Sequence, residues 1–455
     1  MTDWSGKKVT ILGLGKTGHA TAIYLAKRHA HVLVSEASEL KGANLAFAED
    51  LQSQGVPLEA GAHSDKALER AEIIITSPGI RPDSDVIKRA LRYGKPVISD
   101  VELAFRESGK PMVAVTGTNG KSTTTALISF MLEHNGLTAP ACGNFGLPVL
   151  TAAEQSPDYI IVEISSFQLH YCDSFAPQVG VWLNLTADHL DWHGGLDAYI
   201  AAKKKLFEKQ TEEQYAILNE DDQIVSGART NAKRFPFSVA TNLAGKSDGA
   251  FIDDGRIIYR IQGKEHLVLK TTDLQMIGRH NWENALAAVS VGAVLGLETK
   301  QIATALKEFK GLEHRLEYVD TLEGIRCYND SKATNTDSAI KALEAFSEKI
   351  VLIAGGRDKG TDLTDFAKCV RAHAHSVILL GEAAERFRAA FVAGGVENIH
   401  LVGSLADAVE LGIKLKAGPL VLSPACASYD MFRDFEDRGN VFKELVHSKI
   451  RSLAK

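Results

Sequence analysis

Cysteine is scarce in this chain and never set in the spacing that metal or redox sites use. Cys142, Cys172, Cys327, Cys369 and Cys426 form no C-x-x-C pair, so neither a disulfide framework nor a zinc ribbon is indicated. No apolar run approaches the ~20 residues of a membrane-spanning helix. The opening MTDWSGKKVTILG runs into a strand pattern without the apolar core of a signal peptide; a cytoplasmic location is expected. Positive charge is not in surplus either: 51 Lys and Arg against 57 Asp and Glu give a formal net charge of −6. That balance argues against nucleic acid or a membrane surface as partner, so any anion site must be local. What remains is an ordinary soluble composition on a chain of 455 residues, long enough for two to four domains with sizeable cores.

The most informative stretch is PMVAVTGTNGKSTTT, residues 111–125. A short β-forming run, a Gly-rich turn and a helix opening Lys-Ser-Thr make a phosphate cradle. Glycines let backbone N–H groups approach phosphate, and the helix start adds partial positive charge. Lys121 is placed for the β/γ-phosphates and Ser122 for Mg²⁺. The strict pattern wants glycine where Val115 stands, so Gly117 makes the early turn and the loop is a variant.

Residues 1–99 read as β-α repeats, with strands over 8–12, 30–35, 73–79 (ending in a Pro-Gly stop) and 96–99. The turn Gly13-Leu14-Gly15-Lys16-Thr17-Gly18 follows the first strand and opens a helix over 20–28, and Glu36 closes the second strand. A diphosphate could sit at Gly15–Thr17 with Glu36 reaching a ribose or base; a tight turn that binds nothing is the plain alternative. In residues 100–311, an apolar strand over 159–164 carries Glu163 at its end, where a Mg²⁺ ligand or a helix cap is expected. The strand over 178–184 runs into His189, a further candidate ligand. His189 and His193 at i, i+4 also raise a zinc hydrolase, although no Glu lies between them and the Gly-Lys-Ser loop would go unexplained.

The segment 196–209, LDAYIAAKKKLFEK, reads as a helix with Leu196, Tyr199, Ile200, Lys203, Leu206 and Phe207 on one stripe. Lys204 and Lys205 fall off it and are expected in solvent. Lys203 on the apolar face is the odd residue. If desolvated, its neutral amine could act as a base or take up CO₂ as a carbamate; the pattern alone favours snorkelling to water. Asn281 and Asn284 precede a helix over 285–295 and would cap it or face an adenine. Residues 312–455 form another α/β unit, with GGRDKG ending one strand and PACASYD ending the last. Small residues there suit a carboxylate-sized anion pocket. Three charged strand ends with one Gly-Lys-Ser loop suggest an ATP-driven condensation of two anionic substrates in a shared cleft, through an acyl phosphate.

TGTNGKST (116–123), ISSFQL (164–169), NLTADHLD (184–191), YIAAKKKL (199–206), GRHNWENALAA (278–288), LEHRLE (312–317), NDSKATN (329–335), GGRDKG (355–360) and SPACASYDMF (423–432) together resemble the Mur ligases of peptidoglycan synthesis. NDSKATN, SPACAS and LGLGKTG resemble the branch that adds D-glutamate. The resemblance implies an α/β fold of three domains: a Rossmann-like UDP-binding one (1–99), a central P-loop ATPase-like parallel sheet (100–311) and a Rossmann-like amino-acid-binding one (312–455). It implies ATP binding by Gly117, Thr118, Asn119, Gly120, Lys121, Ser122, Thr123, Asn281, Asn284, Arg315, Asp330 and Lys332. Two Mg²⁺ ions would be held by Ser122, Glu163, His189 and a carbamylated Lys203; Lys121, Glu163, His189 and Lys203 would carry the catalysis. UDP-N-acetylmuramoyl-L-alanine would meet Leu14, Gly15, Lys16, Thr17, Glu36, Ser77, Asn144 and His189, and D-glutamate would meet Thr334, Lys359, Ser428 and Phe435. A monomer is expected. The rivals are a superfamily ligase with another amino acid or with folate, a nicotinamide-dependent oxidoreductase read from Gly13–Gly18, and a non-catalytic nucleotide-binding protein.

Overall fold

Each third of the chain builds its own sheet. The computed structural model describes residues 2–240, 243 and 247–453. The N-terminal sheet is fully parallel, in the order Leu58–Ala60, His31–Glu36, Lys8–Leu12, Ile73–Thr76, Val97–Ser99. The order reverses beside Lys8–Leu12, which puts the Gly13–Gly18 turn at the switch point where such sheets bind ligands.

The central sheet has nine strands. Its parallel heart runs Tyr215–Asn219, Val179–Trp182, Met112–Thr116, Ile160–Glu163, Ala141–Gly143. Arg256–Ile261 and Lys264–Lys270 add an antiparallel edge. Met112–Thr116 is buried along its whole length, as a strand covered on both faces must be. The strand Lys233–Ser238 has no counterpart in the sequence reading, because Pro236 sits inside it and lacks an N–H for a ladder. It is tolerated because pairing to the next strand, Gly249–Asp253, is confined to Phe237 and Ser238.

The C-terminal sheet runs Glu317–Leu322, Ile325–Asn329, Leu420–Leu422, Ile350–Gly355, Ala374–Leu380, Ile399–Leu401, antiparallel only at Glu317–Leu322. Along Ile350–Gly355 alternate residues enter different cores: Ile350, Leu352 and Ala354 one, Val351 and Ile353 the other. Both faces are therefore helix-covered. By compactness the chain divides into one unit of Met1–Asp273 with Trp282–Lys307 and another of Leu274–Asn281 with Glu308–Lys455.

Candidate active site

Strand Met112–Thr116 delivers the Gly-Lys-Ser loop, and helix Lys121–His134 leaves it. Gly120 is the N-cap in the left-handed region, φ 83°, and a Cβ there would lie 2.4 Å from Asn284 Oδ1. Only glycine fits both conditions. The loop is pinned from the neighbouring strand end: Asn184 Oδ1 accepts from the N–H of Thr118 and Asn119 (3.1 and 2.9 Å), and Asn184 Nδ2 donates to Asn119 O. Thr118 Oγ1 shares a hydrogen bond with the Tyr199 hydroxyl. The anion-facing donors are thus those of the helix's first turn, Lys121 to Thr123, which have no acceptor inside a helix. Lys121 Nζ is folded over the loop, donating to Gly117 O and Thr118 O at 2.9 Å each.

Beside this loop lie a buried carboxylate and a buried amine. Glu163 ends strand Ile160–Glu163 and is 2% exposed. Its Oε1 accepts from Asn144 Nδ2 at 2.7 Å, and its Oε2 is buried with no hydrogen-bond partner. An ionisable oxygen left bare in a protein interior is costly, and a cation ligated there removes the cost. Lys203, on helix Leu196–Glu208, does not reach water: it is 1% exposed, and its Nζ donates to Gly117 O (3.0 Å) and Thr116 Oγ1 (3.3 Å). Burial drives the amine well below the ordinary lysine range, and the nearby Lys121 ammonium adds to this against the pull of Asp188 and Glu163. Snorkelling, which the sequence pattern favours, is overturned because the stripe faces a closed core. Lys204 is exposed, as expected, whereas Lys205 is half-buried, its Nζ donating to His170 O and Cys172 O. Leu196, by contrast, is 40% exposed despite its place on the stripe.

His189 stands in the left-handed region at the start of a short helix, its ring half-exposed, against Phe167 and near Asp188. His193 turns away, its Nε2 2.9 Å from Ser166 Oγ, and burial lowers its pKa to about 4. No group of three or more His, Cys, Asp or Glu able to hold a metal exists among the described residues. With His193 held by Ser166, the His189–His193 pair does not make a zinc hydrolase site among the described residues. The bare Glu163 oxygen is a donor of the kind Mg²⁺ takes, which uses few protein oxygens and fills its shell with water and phosphate. Asn281 and Asn284 lie inside helix Arg279–Val294 and do not cap it. Asn281 Nδ2 donates to Ile277 O, and Asn284 Oδ1 accepts from Thr124 on the Gly-Lys-Ser helix.

At the N-terminal turn, Gly13 (φ 96°) has Ser77 Oγ where a Cβ would go, and Gly18 packs on Gly13 O. Gly15 meets nothing, and it opens helix Lys16–Ala26 without a side-chain cap. Glu36 spends both oxygens on backbone: Oε2 accepts from Leu14 N–H (2.8 Å) and Oε1 from Ser38 N–H (3.0 Å). The Leu14 side chain is in the core, so what that residue offers a ligand is backbone. Lys16 is exposed and Thr17 partly so.

In the C-terminal unit, Lys359 Nζ donates to Thr334 O (2.8 Å) and Lys332 Nζ lies over the Phe435 ring. Arg357 N–H donates to Ala427 O, bringing the GGRDKG loop to the residue before the buried Ser428. Asp330 accepts from Ser423 Oγ and Leu316 N–H, and burial pushes it up to about 7. Arg315 is exposed.

Residues 7–99 match the Mur ligase MurD-like N-terminal domain, 115–292 the Mur ligase middle domain and 314–425 the Mur ligase glutamate ligase domain. The chain is 40% identical over 454 residues to the UDP-N-acetylmuramoylalanine–D-glutamate ligase of Pelotomaculum thermopropionicum, covering 98% of this chain and 99% of that protein. It is 41% identical over 448 residues to the protein of the same name from Caldanaerobacter subterraneus subsp. tengcongensis, covering 97% and 98%. This chain belongs to the Mur ligase family. The fold agrees: UDP-N-acetylmuramate–alanine ligase from Thermotoga maritima superposes with a TM-score of 0.59 at 20% identity, over 97% of this chain and 99% of that one.

As a Mur ligase the chain is an ATP-dependent enzyme of peptidoglycan synthesis, and the family's use of ATP implies Mg²⁺. Several groups that shape this Mur ligase's site escaped the sequence reading. Asn184 and Tyr199 stood inside recognised motifs, but the task of pinning the loop is visible only once Asn184 meets Asn119 across 65 residues. Arg438 is 3% exposed and donates to Ser331 O and Oγ, Cys426 O and Ala427 O, tying NDSKATN to PACAS. Its only sequence signal was an arginine on an otherwise amphipathic helix.

Proposed function

We propose that this Mur ligase joins D-glutamate to the alanyl carboxylate of UDP-N-acetylmuramoyl-L-alanine at the expense of ATP. End-to-end 40% identity to ligases of that name carries the reading; the bare Glu163 oxygen and the buried Lys203 amine, pushed by desolvation well below the ordinary lysine range, support the chemistry. Three domains, 1–99 for the uridine diphosphate, 100–311 for ATP and 312–455 for the amino acid, divide the work. The enzyme acts as a cytoplasmic monomer; no helix among the described residues is long and apolar enough to cross a membrane.

First-turn N–H groups of helix Lys121–His134 and the Lys121 ammonium hold the ATP phosphates and offset charge as it spreads. The alanyl carboxylate attacks the γ-phosphorus, the bond to ADP breaks, and an acyl phosphate forms. The D-glutamate amine then attacks the acyl carbon; the tetrahedral adduct loses phosphate, and the amine's proton leaves. Thr334, Lys359, Ser428 and Phe435 would hold D-glutamate. Leu14, Gly15, Lys16, Thr17, Glu36, Ser77, Asn144 and His189 would meet the nucleotide substrate. Asn281, Asn284, Arg315, Asp330 and Lys332 would complete the ATP site.

Two Mg²⁺ ions, bound by Ser122, Glu163, His189 and Lys203, would supply the charge that phosphoryl transfer needs. An amine is a poor ligand for Mg²⁺. A neutral Lys203 amine can attack CO₂, form the N–C bond and shed a proton, and so present carbamate oxygens instead. The test is phosphate release from ATP with UDP-N-acetylmuramoyl-L-alanine, with and without D-glutamate. Release that requires both is expected; release that follows another amino acid would overturn the substrate assignment.

A further inference from the structure

Lys205 is two residues from Lys203, yet points to a different neighbour. Its Nζ donates to His170 O at 2.5 Å and Cys172 O at 3.1 Å. The His170 carbonyl ends the short helix Ser166–His170, where a cation is favoured, and the Cys172 carbonyl lies in the turn after it. A charged donor to two backbone acceptors is a stronger tie than a neutral one.

That short helix packs on one candidate metal-holding side chain, His189, and follows closely on another, Glu163. It begins three residues after Glu163, behind a Ser165–Gln168 capping box. Ser166 Oγ bonds His193, and Phe167 packs on His189. Gln168 Nε2 donates to the buried Asp100, which starts helix Asp100–Ser108. Glu102 on that helix accepts from the N–H of Asp173 and Ser174. The segment is thus fixed to the rest of the unit, and Lys205 joins it to the helix that carries Lys203.

We propose that Lys205 is a positioning residue: it sets Lys203 relative to Glu163 by locking helix Leu196–Glu208 onto the His170–Cys172 turn. The inference rests on the proposed metal site. Groups hydrogen-bonded to a metal ligand alter metal affinity by about 10–100-fold when lost; Lys205 acts a step further out, so the low end of that range is expected.

Calorimetry of ADP binding, with and without Mg²⁺, tests it without turnover. In the wild type Mg²⁺ should tighten ADP binding. In Lys205→Met, which keeps the apolar stem, that tightening should fall about tenfold while binding of ADP alone stays within twofold; Lys205→Arg should recover most of it. UDP binding and the thermal midpoint, measured alongside, report the fold. Equal Mg²⁺ tightening in wild type and Lys205→Met overturns the proposal, as does a loss in Lys205→Met matched by an equal loss of ADP-alone and UDP binding. No Mg²⁺ effect in the wild type overturns the metal site itself, and the positioning role with it, before any variant is made.

Discussion

Two strand–turn–helix units in this chain look alike in sequence and differ in one atom. In each, a glycine turn opens a helix and a glutamate ends the neighbouring strand. At Gly13–Gly18, Glu36 has both oxygens occupied by backbone N–H groups. At Gly117–Ser122, Glu163 has one oxygen occupied and one buried and bare, with a desolvated lysine nearby. A satisfied carboxylate shapes a loop and is stable without a ligand. An unsatisfied one stores a demand for a cation. The difference fits the proposed roles, a seat for a substrate's diphosphate at the first turn and phosphoryl transfer at the second.

The largest effect that sharpens this comparison is the pair Glu163→Gln and Glu36→Gln. Glu163→Gln should lower kcat about 10³-fold, since it would remove the carboxylate proposed to hold Mg²⁺ at the reacting phosphate. Glu36→Gln should leave kcat within about twofold and raise the KM for the UDP substrate about tenfold, the cost of weakening one charge-assisted hydrogen bond. Steady-state kinetics in both substrates checks it. A kcat collapse in both variants would erase the distinction.

Next is Lys203→Ala. It should lower turnover by about 10²–10³-fold or more, and a short carboxylic acid added to the assay should restore part of the rate by supplying carboxylate oxygens in place of the proposed carbamate. Normal activity in the Ala variant would remove the carbamate from the mechanism.

Lys203 also marks the limit of what the sequence carried. Its helical stripe identified the face, but not that the face is closed by Thr116 and Gly117 from a strand 87 residues earlier. Lys205, expected in solvent, is half-buried for a related reason. Helical period separates core from flank, and here a second short helix occupies the flank. The Gly-Lys-Ser loop was legible because strand, turn and helix start are adjacent in sequence. Of the two readings open for Asn284, the cap fails because its helix begins earlier, at Arg279, and its carbonyl oxygen serves Thr124 on another helix. Pro236 hid a strand because a ladder gap is tolerated only where the neighbouring pairing is short. Local chemistry could be read directly, whereas partners supplied by the tertiary fold could not.

The smallest effect isolates the two turns' glycines. Gly120→Ala places a methyl 2.4 Å from Asn284 Oδ1 at φ 83°, so the loop must shift. It should cost about 1–3 kcal/mol of stability together with ATP binding. Gly15 is different. Its backbone is ordinary, φ −78° and ψ −177°, and an added Cβ meets nothing within 4 Å. Gly15→Ala should leave stability within about 0.5 kcal/mol, yet weaken binding of the UDP substrate several-fold. Only a ligand approaching the backbone there would notice the methyl. Thermal unfolding and UDP titration on the same sample separate the two effects. If Gly15→Ala binds UDP as the wild type does, the diphosphate does not sit on that turn, and the first of the two glycine turns is structural alone.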